Sequence, residues 1–329
     1  MRVRAAVAGC LTLLIAAGIA RAQSAADSDT LRGRTLLFAG VSYSGQKFPT
    51  QTGRSVGTSG FASFVVRPFV TDHWQLGLSP TYYTSSVMAS TYHSVQWSAL
   101  ADYGRVIPFG LRAFVGVNVL GYAGTNSMPG HLIGWHAGVM RFVVPQAAVR
   151  VEFRDYDWFH VRALPFRQLV VTLDQYMVPG AGPVTRFPGW GTTDVAFIAG
   201  LSGNARSITA SVAPFLTPFL QVGGSIDAVL DEGGPGAHAY DGTVRLYAPL
   251  SPRFMPFVGG TIESTTWNGD AGGFSDYSGS VGARHALQPG LSLDGGLALN
   301  VHRPLPGFTF RSPNELSVFA KVVLSVGMR

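Results

Sequence analysis

Hydrophobic and polar residues alternate singly over long stretches of this chain, most regularly after the turn at Gln288-Pro289-Gly290. One face there takes Leu291, Leu293, Gly295, Leu297, Leu299 and Val301, and the other takes Ser292, Asp294, Gly296, Ala298, Asn300 and His302. A period of two is that of a β-strand. A run of roughly 10 residues or more exceeds the usual globular strand but matches a tilted strand crossing a bilayer. The same period recurs from Thr35 to Met328 and predicts sixteen strands. In the first half they run over 35–43, 60–69, 74–85, 93–105, 109–122, 131–142, 147–157 and 167–176. In the second half they run over 193–203, 207–215, 219–230, 238–248, 253–267, 274–286, 291–303 and 314–328. Tight turns such as Val70-Thr71-Asp72-His73 and Val144-Pro145-Gln146 alternate with longer polar loops such as 44–59 and 123–130. That alternation is the up-and-down arrangement, with short turns on one side and longer loops on the other.

The second half repeats the first at a nearly constant spacing. Pro68 falls on Pro214, Gly116 on Gly259 and Pro145 on Pro289. Three matches in register, each beside a matching turn, predict a tandem duplication. Residues 177–192 are rich in Pro and Gly and read as a linker, after which 191–200 resembles the approach to the first strand at 33–40. The expected organisation is a leader at 1–22, a first barrel repeat at 23–176, the linker at 177–192 and a second repeat at 193–329. Two eight-stranded barrels are preferred over one of sixteen strands, because the linker is long and the inner faces carry few large groups among Gly, Ser and Thr.

Side-chain type then separates the two faces. Charged residues are only 13% of the chain, 47% is hydrophobic and Gly accounts for 41 residues, a balance expected where one strand face meets lipid. Aromatic residues collect at strand ends. Phe69, Trp74, Phe109, Phe142, Phe215 and Phe219 flank the tight turns, and Tyr82, Trp97, Tyr122, Trp135, Trp158, Trp267 and Tyr277 lie toward the loops. Trp74 and Tyr82 would stand about 20 Å apart along the membrane normal at ~3.3 Å rise and ~40° tilt, close to the ~25 Å apolar band of such barrels. Two aromatic girdles are therefore expected. The opposite faces carry Asp102, Arg112, Arg150, Glu152, Arg154 and Asp174 in the first half, and Asp227, Asp241, Arg245, Glu263, Arg284, Asp294 and Lys321 in the second. A charge at the lipid midplane costs about 2–4 kcal/mol, so these groups should point inward and pair. The strand at 131–142 resists assignment, since Arg141 and the position matched to Arg284 have opposite parity.

At the N-terminus Arg2 and Arg4 precede an apolar run from Ala5 to Ile19, closed by Ala20-Arg21-Ala22, which predicts a secretory signal peptide. Val7-Ala8-Gly9-Cys10 leaves too short an apolar core for a lipoprotein signal. Cys10 is the single cysteine, so the exported chain is expected to carry no disulfide. Beyond the leader no apolar run reaches ~18 residues, which leaves strands as the spanning elements. The formal net charge of +6 comes from scattered arginines, with no basic run to meet nucleic acid.

The expected fold class is all-β: a transmembrane, antiparallel, up-and-down β-barrel of about sixteen strands. The layout resembles the small eight-stranded outer-membrane barrel proteins of Gram-negative bacteria, here in tandem, over 35–328 as a pattern. That resemblance implies residence in the outer membrane. The expected partners are its lipid and lipopolysaccharide, the barrel assembly machinery and periplasmic chaperones. The class commonly ends on an aromatic residue that the assembly machinery recognises, whereas Met328 stands in that phase here. The expected role is structural or surface-binding, with an external ligand unspecified. The alternative is a passive diffusion porin formed as one sixteen-stranded barrel, and the second alternative is a rim hydrolase or lipid-modifying enzyme. For the last, Asp155-Tyr156-Asp157-Trp158-Phe159-His160 is the best local set, but no nucleophile stands at a demanding spacing, and no enzyme, cofactor or metal site is expected. Asp231-Glu232 with His238, and Asn268-Gly269-Asp270, are turn chemistry first.

Overall fold

The computed structural model describes residues 30–327, apart from 51–52, 88–89, 126, 159–165, 188, 203–204, 232–235, 268–272 and 305–314. The leader therefore lies outside the described residues, as do His160, Glu232 and Asn268-Gly269-Asp270 of the loop sites. Sixteen antiparallel strands are present among the described residues. The first half contains β1 (Thr35–Thr50), β2 (Gly53–Pro68), β3 (Trp74–Val87), β4 (Ser90–Ile107), β5 (Leu111–Gly124), β6 (Ser127–Val144), β7 (Ala147–Trp158) and β8 (Phe166–Met177). The second contains β9 (Thr192–Ser202), β10 (Ala205–Pro214), β11 (Leu220–Asp231), β12 (Ala237–Tyr247), β13 (Phe254–Trp267), β14 (Gly273–Gln288), β15 (Leu291–Pro304) and β16 (Glu315–Gly327). One turn of 3-10 helix, Pro108–Gly110, joins β4 to β5. No described helix is long and apolar enough to cross a membrane.

Several expected loops are strand instead. β1 and β2 stay paired from Thr35↔Pro68 to Thr50↔Gly53, through the Gly/Ser/Thr stretch expected as a loop at 44–59. β5 and β6 continue to Gly124↔Ser127 across a bulge, through the loop expected at 123–130. Small hydroxylated residues have modest strand preference by themselves, but a neighbouring strand that takes up every backbone donor and acceptor overrides it.

The sheet closes on itself through all sixteen strands, which corrects the preference for two separate barrels. β1 pairs with β16 from Gly40↔Lys321 to Gln46↔Glu315, and β8 pairs with β9 from Gln168↔Ser202 to Thr172↔Ile198. At the end bearing the tight turns the same four strands change partners. Thr35↔Met177 and Leu36↔Tyr176 join β1 to β8, and Val195↔Leu324 to Thr192↔Gly327 join β9 to β16. The barrel is thus one ring at its loop end and forks into two eight-stranded lobes at its turn end.

What fills the interior explains the fork. Near the turns each lobe holds a packed cluster: Leu36, Phe69, Phe114, Met140, Ala148 and Tyr176 in the first, and Phe215, Tyr247, Met255 and Phe257 in the second. These large side chains fill an eight-stranded cross-section. Toward the loops the inner positions are mainly small, such as Ser63, Thr81, Ser225, Thr243 and Thr261, and cannot fill it. The strands there close around one wider lumen. Gln288, at the end of β14, stitches the lobes by donating to the Tyr176 carbonyl (2.9 Å) and accepting from the Val178 amide (3.0 Å).

Candidate functional site: two buried charge clusters and a lumen cavity

Strand alternation sets which side chains enter the barrel, and the tight turns set their depth. In the turn from β2 to β3 the Thr71 hydroxyl accepts from the amides of His73 (3.2 Å) and Trp74 (2.9 Å). In the turn from β10 to β11 Thr217 does the same for Phe219 (3.2 Å) and Leu220 (3.0 Å). These turns start β3 and β11 so that Gln75 and Gln221 point inward, each donating to a carbonyl of the preceding strand at 3.1 Å.

In the first lobe Arg150 is the hub. Its Nη2 donates to Asp102 (2.7 Å), its Nε to Glu152 (2.7 Å) and its Nη1 to Gln75 (3.2 Å), while its guanidinium lies 4.0 Å from the Phe114 ring centre. Glu152 also accepts from Arg154 (2.7 Å), and Asp102 accepts from His136 Nε2. Arg112 donates to the His73 carbonyl (2.7 Å) over the Phe69 ring. Asp174 accepts from the Thr172 hydroxyl (2.6 Å).

In the second lobe Arg284 is the hub. Its Nε and Nη2 form a two-point bridge with Asp294 at 2.6 and 2.8 Å, and Nη2 also reaches Asp194 at 2.6 Å. Arg245 donates to Asp294 at 2.9 Å over the Phe257 ring. Asp194 is further held by Gln221 and Ser325, both at 2.5 Å, and Tyr247 donates to Gln221 at 2.9 Å.

The clusters share a position and invert a charge. Asp102 faces Gly116 across β4 and β5, as Arg245 faces Gly259 across β12 and β13. Arg150 faces Met140 across β6 and β7, as Asp294 faces Arg284 across β14 and β15. The bridge from Asp102 to Arg150 in one lobe is therefore matched by a bridge from Arg245 to Asp294 in the other, with the signs exchanged.

All thirteen charged positions singled out in the sequence fall on the inward parity, but not all join a cluster. Asp227 is exposed within the lumen, and Asp241 and Glu263 stand opposite each other without an ion pair to a cation among the described residues. Met140, Gly138 and His136 face inward on β6, which places Arg141 on the outward parity and settles that strand. Gln75, Asp194, Gln221 and Ser325 are not among the positions singled out in the sequence. Asp194 stands in the sequence near the start of a strand, after Thr192 and Thr193. Only its in-phase position with Asp294 and Arg284 across a closed β9–β16 edge makes it a partner.

Several girdle expectations are corrected. Phe69 and Phe215 are 1% and 2% exposed and, with Phe142, belong to the clusters, because the phase set by the turns points them inward. Tyr122 shares the inward parity of Phe114 and Asn118. Trp74, Phe109, Phe219, Tyr82, Trp135 and Tyr277 are exposed, and Trp97 lies on the outward face against His131. The side chains of Trp158 and Trp267 lie outside the described residues. At the rim Asp155 pairs with Arg167 at 3.2 Å, and the side chain of Asp157 lies outside the described residues.

A cavity of about 290 Å³ opens above the second cluster. Asp194, Asp241, Arg245, Arg284, Asp294 and Lys321 line it, and Gln175 reaches it from β8 of the first half.

No family model and no curated protein matches the sequence. Among solved structures, the chain is similar to a bacterial polysaccharide outer membrane secretin at 10% identity, covering 89% of this chain and 99% of that one with a TM-score of 0.44. It is similar to the CymD monoaromatic hydrocarbon channel at 10% identity, covering 90% and 89%, with a TM-score of 0.40. The third likeness is to OccK11 (OpdR) of Pseudomonas aeruginosa at 11% identity, covering 90% and 98%, with a TM-score of 0.37. At these scores the functional reading rests on the residues of this barrel.

Proposed function

We propose that the chain is an integral outer-membrane β-barrel acting as a narrow channel for small polar solutes. One observation carries the reading: a closed sixteen-strand ring that is apolar outside and polar within. Leu78, Val115, Val117, Val258, Ile262, Val281, Leu297, Leu299, Leu316 and Val318 are all exposed on outward positions, while their strand neighbours turn hydroxyls, glycines and paired charges inward. A belt of that extent is untenable in water and suits lipid. The leader expected at 1–22 supports export, and the outer membrane is the membrane that such barrels inhabit.

The shared ring at the loop end favours a channel over two closed structural barrels, since it gives both lobes one mouth. The structural role remains the second reading, because the packed clusters narrow the turn end. Conductance in planar bilayers separates the two. The wild-type protein should give small single-channel steps, and Phe257→Ala, which thins the second cluster, should enlarge them. Absence of steps from both proteins, with the barrel folded by heat-modifiable gel migration, would defeat the channel and leave the structural role.

A further inference from the structure

The lumen cavity holds charges that the ion-pair network leaves unused. Asp194 and Asp294 are both bonded to Arg284, and Asp294 also to Arg245. Asp241 instead accepts only from the hydroxyls of Ser225 and Thr243 and has no cationic partner among the described residues. Lys321, opposite Asp294 in the register of β15 and β16, is exposed to the cavity and closes no ion pair or hydrogen bond among the described residues. One cavity thus presents a carboxylate without an ion pair to a cation and an ammonium that stands opposite Asp294 without closing an ion pair to it.

From this we infer that the cavity binds a small zwitterion carrying one carboxylate and one ammonium, of amino-acid size. The ligand carboxylate takes Lys321. Its ammonium takes Asp241, where the Ser225 and Thr243 hydroxyls hold the acceptor in place. The cavity offers one anchor of each sign, Asp241 and Lys321, and a zwitterion uses both where acetate or methylammonium uses one. Size agrees: the cavity of about 290 Å³ is many times the ~10–15 Å³ that one water needs, enough for a small amino acid and its residual hydration.

This inference rests on the channel reading for the solute's route to the cavity, but its test does not need conduction. Isothermal titration calorimetry on the folded protein in detergent would use L-alanine as the probe, with acetate and methylammonium as its two halves. L-alanine should bind at least tenfold more tightly than either half. Lys321→Met should reduce L-alanine to the affinity of methylammonium, and Asp241→Asn to that of acetate. Acetate or methylammonium binding as tightly as L-alanine would overturn the proposal in favour of a simple ion site. L-alanine giving no heat with folded protein that still forms channel steps would overturn it and leave the channel standing, whereas binding without any steps would defeat the channel alone. The comparison among the three probes on wild-type protein decides the matter even where a variant fails to fold.

Discussion

Asp294 is the residue whose loss the barrel should feel most. It is fully buried and accepts from two guanidinium groups, so Asp294→Asn leaves Arg245 without its carboxylate and Arg284 with Asp194 alone. Breaking such a bridge from one side costs about 3–5 kcal/mol, and urea unfolding in detergent should show a loss of that order. Asp241→Asn, which removes no ion pair, should cost less than about 1 kcal/mol. Phe109 offers the opposite case. It sits at φ 69° in the turn from β4 to β5 and is 84% exposed. A left-handed backbone is strained for a bulky residue by about 1 kcal/mol or more, and an exposed ring there makes sense as an anchor in the membrane interface. Phe109→Asn should therefore gain stability in detergent and lose it in lipid vesicles. At this scale the sequence was legible in phase and illegible in partner. Alternation alone placed Arg150, Arg284 and Asp294 inside, but Asp194 reaches Arg284 from 90 positions away in the chain, and no local pattern encodes that contact. Phe69 and Phe215 misled for a related reason. An aromatic beside a tight turn suits a girdle or a core equally, and only the turn's own hydrogen bonds choose between them.

Individual strands depend on glycines where aromatic rings cross them. A Cβ built on Gly138 would lie 2.2 Å from the Val151 carbonyl and 2.7 Å from the Phe114 ring, and one on Gly282 would lie 2.3 Å from the Gly295 carbonyl and 2.8 Å from the Phe257 ring. Each ring lies over a glycine on the neighbouring strand, which lets it lie flat against the wall. Gly138→Val or Gly282→Val should lower stability by about 1–3 kcal/mol or block folding, as overpacking does. Gly242, on the outward parity of β12, has no atom within 4 Å of such a Cβ, and Gly242→Val should be neutral or stabilising by the same assay. The strands themselves were readable because a period of two over ten residues is hard to produce by chance. Their outer ends were not. At 44–59 the residues Ser, Gly, Thr and Gln carry no apolar alternation, and the pairing of β1 with β2 that extends them is a property of two strands together.

For the whole molecule, the choice between one barrel and two was undecidable from the chain because both satisfy every backbone hydrogen bond. Duplicated halves offer β1 the edge of β8 or of β16, and the chain's linker at 177–192 permits either. The interior makes the choice level by level: large rings and arginines hold two lobes near the turns, and small hydroxylated residues let the ring merge near the loops. Weakening one cluster should therefore shift the fork toward the turn end. Double-cysteine crosslinking tests the fork most directly, with Ser44→Cys and Ser317→Cys on β1 and β16, and Thr35→Cys and Met177→Cys on β1 and β8, positions that face each other in the register. The account predicts that both pairs oxidise readily in folded, membrane-inserted protein, and that a chain bearing all four cysteines forms both bridges at once. Crosslinking of the Thr35 and Met177 pair alone would mean two separate barrels, crosslinking of the Ser44 and Ser317 pair alone would mean an unforked ring, and either result would contradict it.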